Sequence, residues 1–386
     1  MERINYFELK VQLYEAYYDC RRNKRNTTNA LAFEINMERN LEALFDEIST
    51  MTYQPGRSVA FVVTQPVVRE IFAADFRDRV VHHYLMNRLN VFFERLFIYD
   101  SYSCRVGKGT FFGIERAEHF LRSCSRNYTR DCYVLKLDIQ GFFMHINRQT
   151  LLDQVLGIVE RYYTKPDKDI VVYLCKQIIL QNPSKNCLVK GGFDEWKKLP
   201  KSKSLFHMPE GFGLPIGNLT SQVLANVYLN EFDHFVKREL KARYYGRYVD
   251  DFLLIDVSKK RLIEHRERIK HYLKTILDLS IHPKKEYLQH YSKGFAFLGA
   301  YIKPHRRYIS KRTVKSFNML LREKGWIADY NLITGAGNEK REEQITSYFG
   351  LMKHFKTYKW LEKLGIGNNA YILQFSSFRV KRGIPN

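Results

Sequence analysis

Three carboxylates set the chemistry that this sequence could perform. Asp250 and Asp251 are adjacent in Arg247-Tyr248-Val249-Asp250-Asp251-Phe252-Leu253-Leu254-Ile255-Asp256, between aromatic residues and an apolar run. Asp138 ends the apolar run Tyr133-Val134-Leu135-Lys136-Leu137-Asp138 and is followed by Ile139-Gln140-Gly141-Phe142-Phe143. Adjacent carboxylates repel, so placing them at the ends of buried strands is costly unless a cation neutralises them. Carboxylates are hard ligands, and three of them suit two-metal phosphoryl transfer, where ions about 3.5–4 Å apart clamp the attacking and leaving oxygens. Each piece also has a plainer reading. An Asp-Asp pair can be chosen only for turn chemistry, and a strand-ending Asp can simply cap the next helix.

The elements around these residues are the ones that would position them. Tyr244 to Val249 and Phe252 to Ile255 favour extended structure, which predicts strand, acidic turn, strand, with both Asp at the tip. Gly211-Phe212-Gly213-Leu214-Pro215-Ile216-Gly217-Asn218-Leu219-Thr220-Ser221-Gln222 precedes a long helix predicted through Leu224, Val227, Tyr228, Phe232 and Phe235. Small residues there permit close backbone approach by a ligand at the helix N-terminus. Upstream, the periodicity predicts a helix from Asn29 to Thr50, then strands over Ser58 to Thr64 and Val67 to Phe72 as a hairpin. Arg77-Asp78-Arg79 opens a further helix carrying His82-His83, read as a packing or surface pair. Helices are predicted over Leu151 to Tyr163, Lys168 to Leu180 and Lys259 to Leu279. Ser184 to Ser204 carries six Lys against two acids and reads as a basic insertion loop or ribbon, suited to nucleic acid or to a protein partner. Phe295 to Ile302 forms an apolar hairpin element, and the remainder from Arg306 is basic and helical.

Composition narrows the partner. The chain has 386 residues and a net charge of +22, which calls for a polyanion, with nucleic acid the first candidate. Its 26 Tyr and 27 Phe would build core and could also stack on unpaired bases. Six cysteines with no C-x-x-C pair and no zinc-site spacing read as reduced thiols of a cytoplasmic protein. No apolar h-region opens the chain, and no run of about 18 apolar residues is present to span a membrane.

The order of these pieces resembles a reverse transcriptase over essentially the whole chain: Asp138 to Phe143, a Gly-rich turn before a helix, Tyr248-Val249-Asp250-Asp251, then Phe297-Leu298-Gly299. The resemblance implies an α+β right-hand polymerase whose palm is an antiparallel sheet with helices on one face. An N-terminal extension and fingers would cover 1–132 and the palm 133–305, with a basic insertion at about 150–212 that includes fingers-palm elements, and a helical thumb would cover 306–386. It implies catalytic Asp138, Asp250 and Asp251, with Ile139 joining them in the metal set for two Mg²⁺, for which Mn²⁺ could substitute. Arg69, Arg77, Phe143, Ile216, Gly217, Gln222 and Lys285 would hold the incoming nucleotide. Phe143 would be the aromatic gate against the ribose 2′-hydroxyl, Lys285 (or Lys284) a proton donor to pyrophosphate, and Phe297, Leu298 and Gly299 the primer grip.

A departure points to a subfamily. Most reverse transcriptases carry Gln-Gly-x-x-x-Ser-Pro where this chain has Ile216-Gly217-Asn218-Leu219-Thr220-Ser221-Gln222. With Lys203-Ser204-Leu205-Phe206 and the run from Arg69 to Arg79, it resembles the enzymes of diversity-generating retroelements. The resemblance implies error-prone cDNA synthesis from a template-repeat RNA, misincorporation at template adenines, and replacement of a variable repeat. The partners implied are template RNA, cDNA primer, dNTPs and a small basic accessory variability protein. The alternatives are a retron, group II intron or phage-defence reverse transcriptase, or a catalytically silent RNA-binding module.

Overall fold

The structure, a computed structural model, describes residues 4–22, 27–64, 67–322, 339–355 and 357. Packing divides the chain into two compact units, Met1–Gly113 with Tyr133–Leu288 and Ile114–Cys132 with Gln289–Asn386.

The first unit is built on two sheets. In one, Ser58–Val63 is the centre, antiparallel to Arg69–Ala73 and parallel to Cys187–Val189. The expected hairpin is therefore present, and the basic insertion contributes a third strand to it. The other sheet has the order Tyr244–Tyr248, Asp251–Asp256, Tyr133–Asp138, Tyr287–His290. Its central pairs are antiparallel. Strand alternation sends Leu135, Leu137, Tyr245, Phe252 and Leu254 into the main core, with Val80, Leu224, Leu262, Ile269 and Leu273 from the surrounding helices. That is the α+β arrangement expected, with helices covering the core face of an antiparallel sheet.

Two local expectations needed adjustment, and one element was not expected. The chain from Asn29 to Thr50 is broken at Asn36 into helices Thr28–Ile35 and Met37–Ser49, because Asn36 leaves helical geometry at φ −126° and ψ 44°. The long helix expected after Gln222 is interrupted likewise, running as Leu219–Tyr228, Asn230–His234 and a π-helical turn Phe235–Glu239. A further helix, Tyr6–Arg21, was not anticipated. It buries Leu9, Leu13, Ala16, Tyr17 and Cys20 but exposes Phe7, Val11 and Tyr18, so apolar residues on two sides blur the periodicity.

In the second unit, Phe295–Phe297, Ala300–Lys303 and Arg306–Ile309 form an antiparallel sheet. Helices Lys311–Arg322 and Glu339–Met352 meet through Phe317, which packs on Tyr348 and Phe349 with ring centroids 5.2 and 5.9 Å away. Much of the expected thumb, residues 323–338, 356 and 358–386, lies outside the described residues. Among the described residues, no helix is long and apolar enough to cross a membrane.

Candidate active site

The strand register brings the carboxylates together. Asp138 ends its strand directly opposite Asp251, and Asp251 in turn pairs with Tyr248 across a two-residue turn of Val249 and Asp250. Asp138 and Asp251 share the face opposite the main core, since that core takes their neighbours Leu137 and Phe252. Asp138 does not cap the next helix. Phe142–His145 starts from Gly141 with no side-chain cap.

The turn is held in an unusual conformation. Val249 adopts φ 56°, a left-handed geometry that a β-branched residue rarely enters. Its carbonyl accepts a 2.9 Å hydrogen bond from Arg247 Nη1. Arg247 and Asp233 both have fully buried side chains and pair at 2.6 Å. Asn226 Oδ1 accepts from Arg247 Nη1 at 3.2 Å, and the Tyr245 hydroxyl donates to Asp233 at 2.6 Å. Gly246 lies under Tyr102, whose hydroxyl stands 2.1 Å from where a Cβ would be, so only glycine fits there. Sequence reading missed Arg247 as a positioning residue. Its signal was an arginine in the strand that leads into the acidic turn.

Two lysines neutralise part of the charge. Lys285 Nζ lies 2.9 Å from both carboxylate oxygens of Asp138. Lys136, diagonal to Asp251 across the strands, reaches it at 3.0 Å. Burial, with Asp138 nearby, pushes Asp250 up to about 6, against smaller opposing effects from Lys285 and Arg69. Burial also pushes Asp251 up to about 6, with Lys136 opposing. Asp251 Oδ1 is buried with no hydrogen-bond partner. The Ile139 N–H donates to the Asp250 carbonyl at 3.0 Å, and the Asp138 carbonyl accepts from His282 at 2.7 Å, tying the three backbone positions together.

In this conformation no set of three or more His, Cys, Asp or Glu side chains among the described residues is drawn around one cation position. The donor chemistry nevertheless fits a hard divalent ion. Asp138, Asp250 and Asp251 lie at one end of the same sheet, Asp251 carries an orphaned buried oxygen, and burial raises Asp250 and Asp251 to about 6, a cost that a cation would offset. The Lys285 ammonium stands where part of that compensation is made.

The remaining expected site residues divide. Arg69 opens its strand exposed and close enough to act on Asp250. Arg77 is committed elsewhere: its guanidinium pairs with Glu47 and Asp78, donates to the Gln54 carbonyl at 3.3 Å, and lies over the Tyr53 ring. Arg79 donates to the Ala74 carbonyl at 2.8 Å. The Phe143 carbonyl accepts from Leu214 at 2.8 Å, and two residues on the Ile216 carbonyl accepts from Phe72 at 2.8 Å. The segment from Leu214 to Ile216 thereby links Phe143 to the strand beginning at Arg69. Phe143 and Ile216 both pack on a small core of Ala60, Phe72, Met144 and Leu205. Gly217, at φ 125°, has Ile71 Cγ2 2.8 Å from its would-be Cβ. Gln222 is exposed on its helix and accepts from the Cys104 thiol at 3.1 Å. Phe297 ends its strand opposite Ala300, and Leu298 and Gly299 make the tight turn between these two strands of the second unit, with φ 49° and 85°.

An antiparallel sheet with helices on its core face and acidic residues at its strand ends is consistent with the class of α+β polymerases. The chain belongs to the family described as reverse transcriptase (RNA-dependent DNA polymerase), whose profile matches residues 67–302. It is an RNA-directed DNA polymerase. Protein YkfC of Escherichia coli (strain K12) is 25% identical over 311 residues, covering 72% of this chain and 74% of that protein. A nuclear intron maturase 4, mitochondrial, of Arabidopsis thaliana is 25% identical over 224 residues, covering 56% of this chain and 23% of the maturase. Among solved structures, apo telomerase from Candida tropicalis truncated from its C-terminal domain is similar in fold, with a TM-score of 0.50 at 13% identity. That likeness covers 66% of this chain and 55% of the telomerase chain.

Proposed function

We propose that this reverse transcriptase makes error-prone cDNA, misincorporating at template adenines, from a template-repeat RNA for mutagenic retrohoming into a variable gene region. A small basic accessory variability protein would be its partner. The observation that carries the reading is Ile216, an apolar side chain heading the Ile216-Gly217-Asn218 turn where most of the family carries Gln. A glutamine beside the nascent pair can hydrogen-bond the nucleotide's sugar and enforce its position, whereas Ile216 offers only apolar contact. Losing one positioning bond narrows the gap between right and wrong incorporation by on the order of 1 kcal/mol.

In this reading 1–132 are an N-terminal extension and the fingers, 133–305 the palm and 306–386 the thumb. Asp138, Asp250 and Asp251, with Ile139 beside them, would hold two Mg²⁺, for which Mn²⁺ could substitute. When bound, the ions would activate the primer 3′-hydroxyl and offset the charge of the triphosphate. The chain's own contributions follow from their positions. Arg247 fixes the Val249 carbonyl and so the direction of Asp250. Lys285, whose ammonium lies 2.9 Å from both Asp138 oxygens, would supply a proton to the leaving pyrophosphate. Arg69 grips the triphosphate from the fingers side, with Arg77 supporting that side through Glu47 and Asp78. Phe143 gates the ribose 2′-position, while Gly217 and Gln222 shape the nucleotide's far wall. Phe297, Leu298 and Gly299 grip the primer.

The test is to sequence cDNA made by the purified protein from a defined RNA, with and without the accessory protein. An error spectrum concentrated at template adenines is expected, and errors spread evenly over the four bases overturn the reading. The likeness to an intron maturase supports a second reading, an intron-type enzyme, which would give uniformly few errors in the same assay.

A further inference from the structure

We propose that the exposed face of residues 190–207 is a landing path for single-stranded RNA, the stretch of template that has yet to enter the site. The inference rests on the polymerase assignment and goes beyond it by adding a surface.

The segment is anchored at several points. Its strand Cys187–Val189 pairs with Ser58–Val63. Glu70, 1% exposed, accepts from Ser204 Oγ at 2.8 Å and from the Leu205 N–H at 2.6 Å. Leu205 joins the small core that Phe143 and Ile216 pack against, and the Ser202 carbonyl lies 4.0 Å from where a Gly141 Cβ would be. A ribbon tied to both Gly141 and the packing of Ile216 therefore borders the candidate active site.

Its outer face has the chemistry of a polyanion and stacking surface. Lys190, Lys197, Lys198, Lys201 and Lys203 are exposed and make no ion pair among the described residues, with only Asp194 and Glu195 beside them. Phe193 is 80% exposed, and Phe206 is 39% exposed while its ring packs on Phe72 and Trp196 at 5.5 and 5.8 Å. Separated aromatics amid unpaired lysines suit unpaired bases on a phosphate backbone better than they suit a protein. A protein strand could add to Cys187–Val189, but three residues offer a short ladder.

The experiment uses the full chain and fluorescent RNA–DNA primer-templates whose 5′ RNA overhang is either one or about eight nucleotides. The variant neutralises four positions, Lys197→Gln, Lys198→Gln, Lys201→Gln and Lys203→Gln, and a second variant is Phe193→Ala. For the long overhang, wild type should bind more tightly than for the short one. The fourfold variant should lose at least about tenfold in affinity and roughly 3 from the salt slope. Phe193→Ala should lose about fivefold. Extension on the short overhang should persist in both variants; its absence in wild type would count against the polymerase assignment instead. Equal loss on both overhangs, or no loss on either, overturns the proposal. So does a wild type indifferent to overhang length, which would leave the face to a protein partner.

Discussion

The aspartate hairpin and the Ile216–Gly217 turn are both tight turns, but they are held by opposite means. The hairpin is fixed by charge, through the buried Arg247–Asp233 pair, the lysines on Asp138 and Asp251, and a strained Val249. The other turn is fixed by backbone hydrogen bonding and apolar packing, with Phe72 N–H on Ile216 and a glycine pressed against Ile71. Charge held out of water is unforgiving, because removing one partner strands the other. Apolar packing is graded, because a different side chain changes contact without stranding a charge. The hairpin is therefore where changes should abolish the reaction, and the turn where changes should retune its selectivity.

The largest expected effect is at the hairpin tip. Asp250→Asn keeps the shape and removes the charge, and should lower nucleotide incorporation by at least about 10³-fold, equivalent to about 4 kcal/mol. Single-turnover primer extension checks this; incorporation within tenfold of wild type would remove Asp250 from the chemistry. Next is Arg247→Leu, which leaves Asp233 buried without its partner. A loss of about 3–5 kcal/mol in unfolding free energy is expected. Chemical denaturation measures it, with Arg247→Lys recovering part of the loss.

The pH dependence follows from the two raised carboxylates. Asp250 and Asp251 stand near 6 in the folded chain and have an ordinary value of 3.8. The folded state thus binds protons that the unfolded state has already released. The stability these groups contribute is fully present below about pH 4 and is lost as pH rises through about 6. Against wild type without metal, Asp250→Asn should be nearly neutral near pH 4 and stabilising by on the order of 1–3 kcal/mol near pH 7.5. Added Mg²⁺ should raise the wild-type melting temperature at the higher pH and leave the variant less affected. Equal Mg²⁺ responses in the two proteins would break the link between the hairpin's charge and the cation.

Much of this contrast was legible in the sequence, and unevenly. The strands carrying Asp138 and Asp251 were readable because apolar and β-branched runs end abruptly at an acid. What joins them was not, since the opposing register of Asp138 and Asp251 is a long-range pairing that no local pattern encodes. Arg247 was hidden because a buried arginine looks in sequence like any surface cation, and Asp233, its partner, sits in a stretch read only as helix. Arg77 shows the converse. A basic residue in the expected place proved to be engaged by Glu47, Asp78 and Tyr53, which a position in a motif cannot reveal. The basic segment from Ser184 to Ser204 lacked periodicity because its short elements are held by Glu70 and by pairing with a distant strand.

The smallest and most informative change is Ile216→Gln. The side chain is half-buried against Ala60, Phe72, Met144 and Leu205, and its backbone is already committed to Phe72, so glutamine should enter without disturbing the turn. The expected gain is one hydrogen bond to the incoming nucleotide, on the order of 1 kcal/mol, which lowers misincorporation at template adenines about fivefold. Overall extension should change little, because none of the carboxylates or their lysines is touched. Sequenced cDNA from the two proteins on one RNA template reads this directly. An unchanged adenine error rate, with extension intact, would separate the turn from fidelity and collapse the contrast between the two regions.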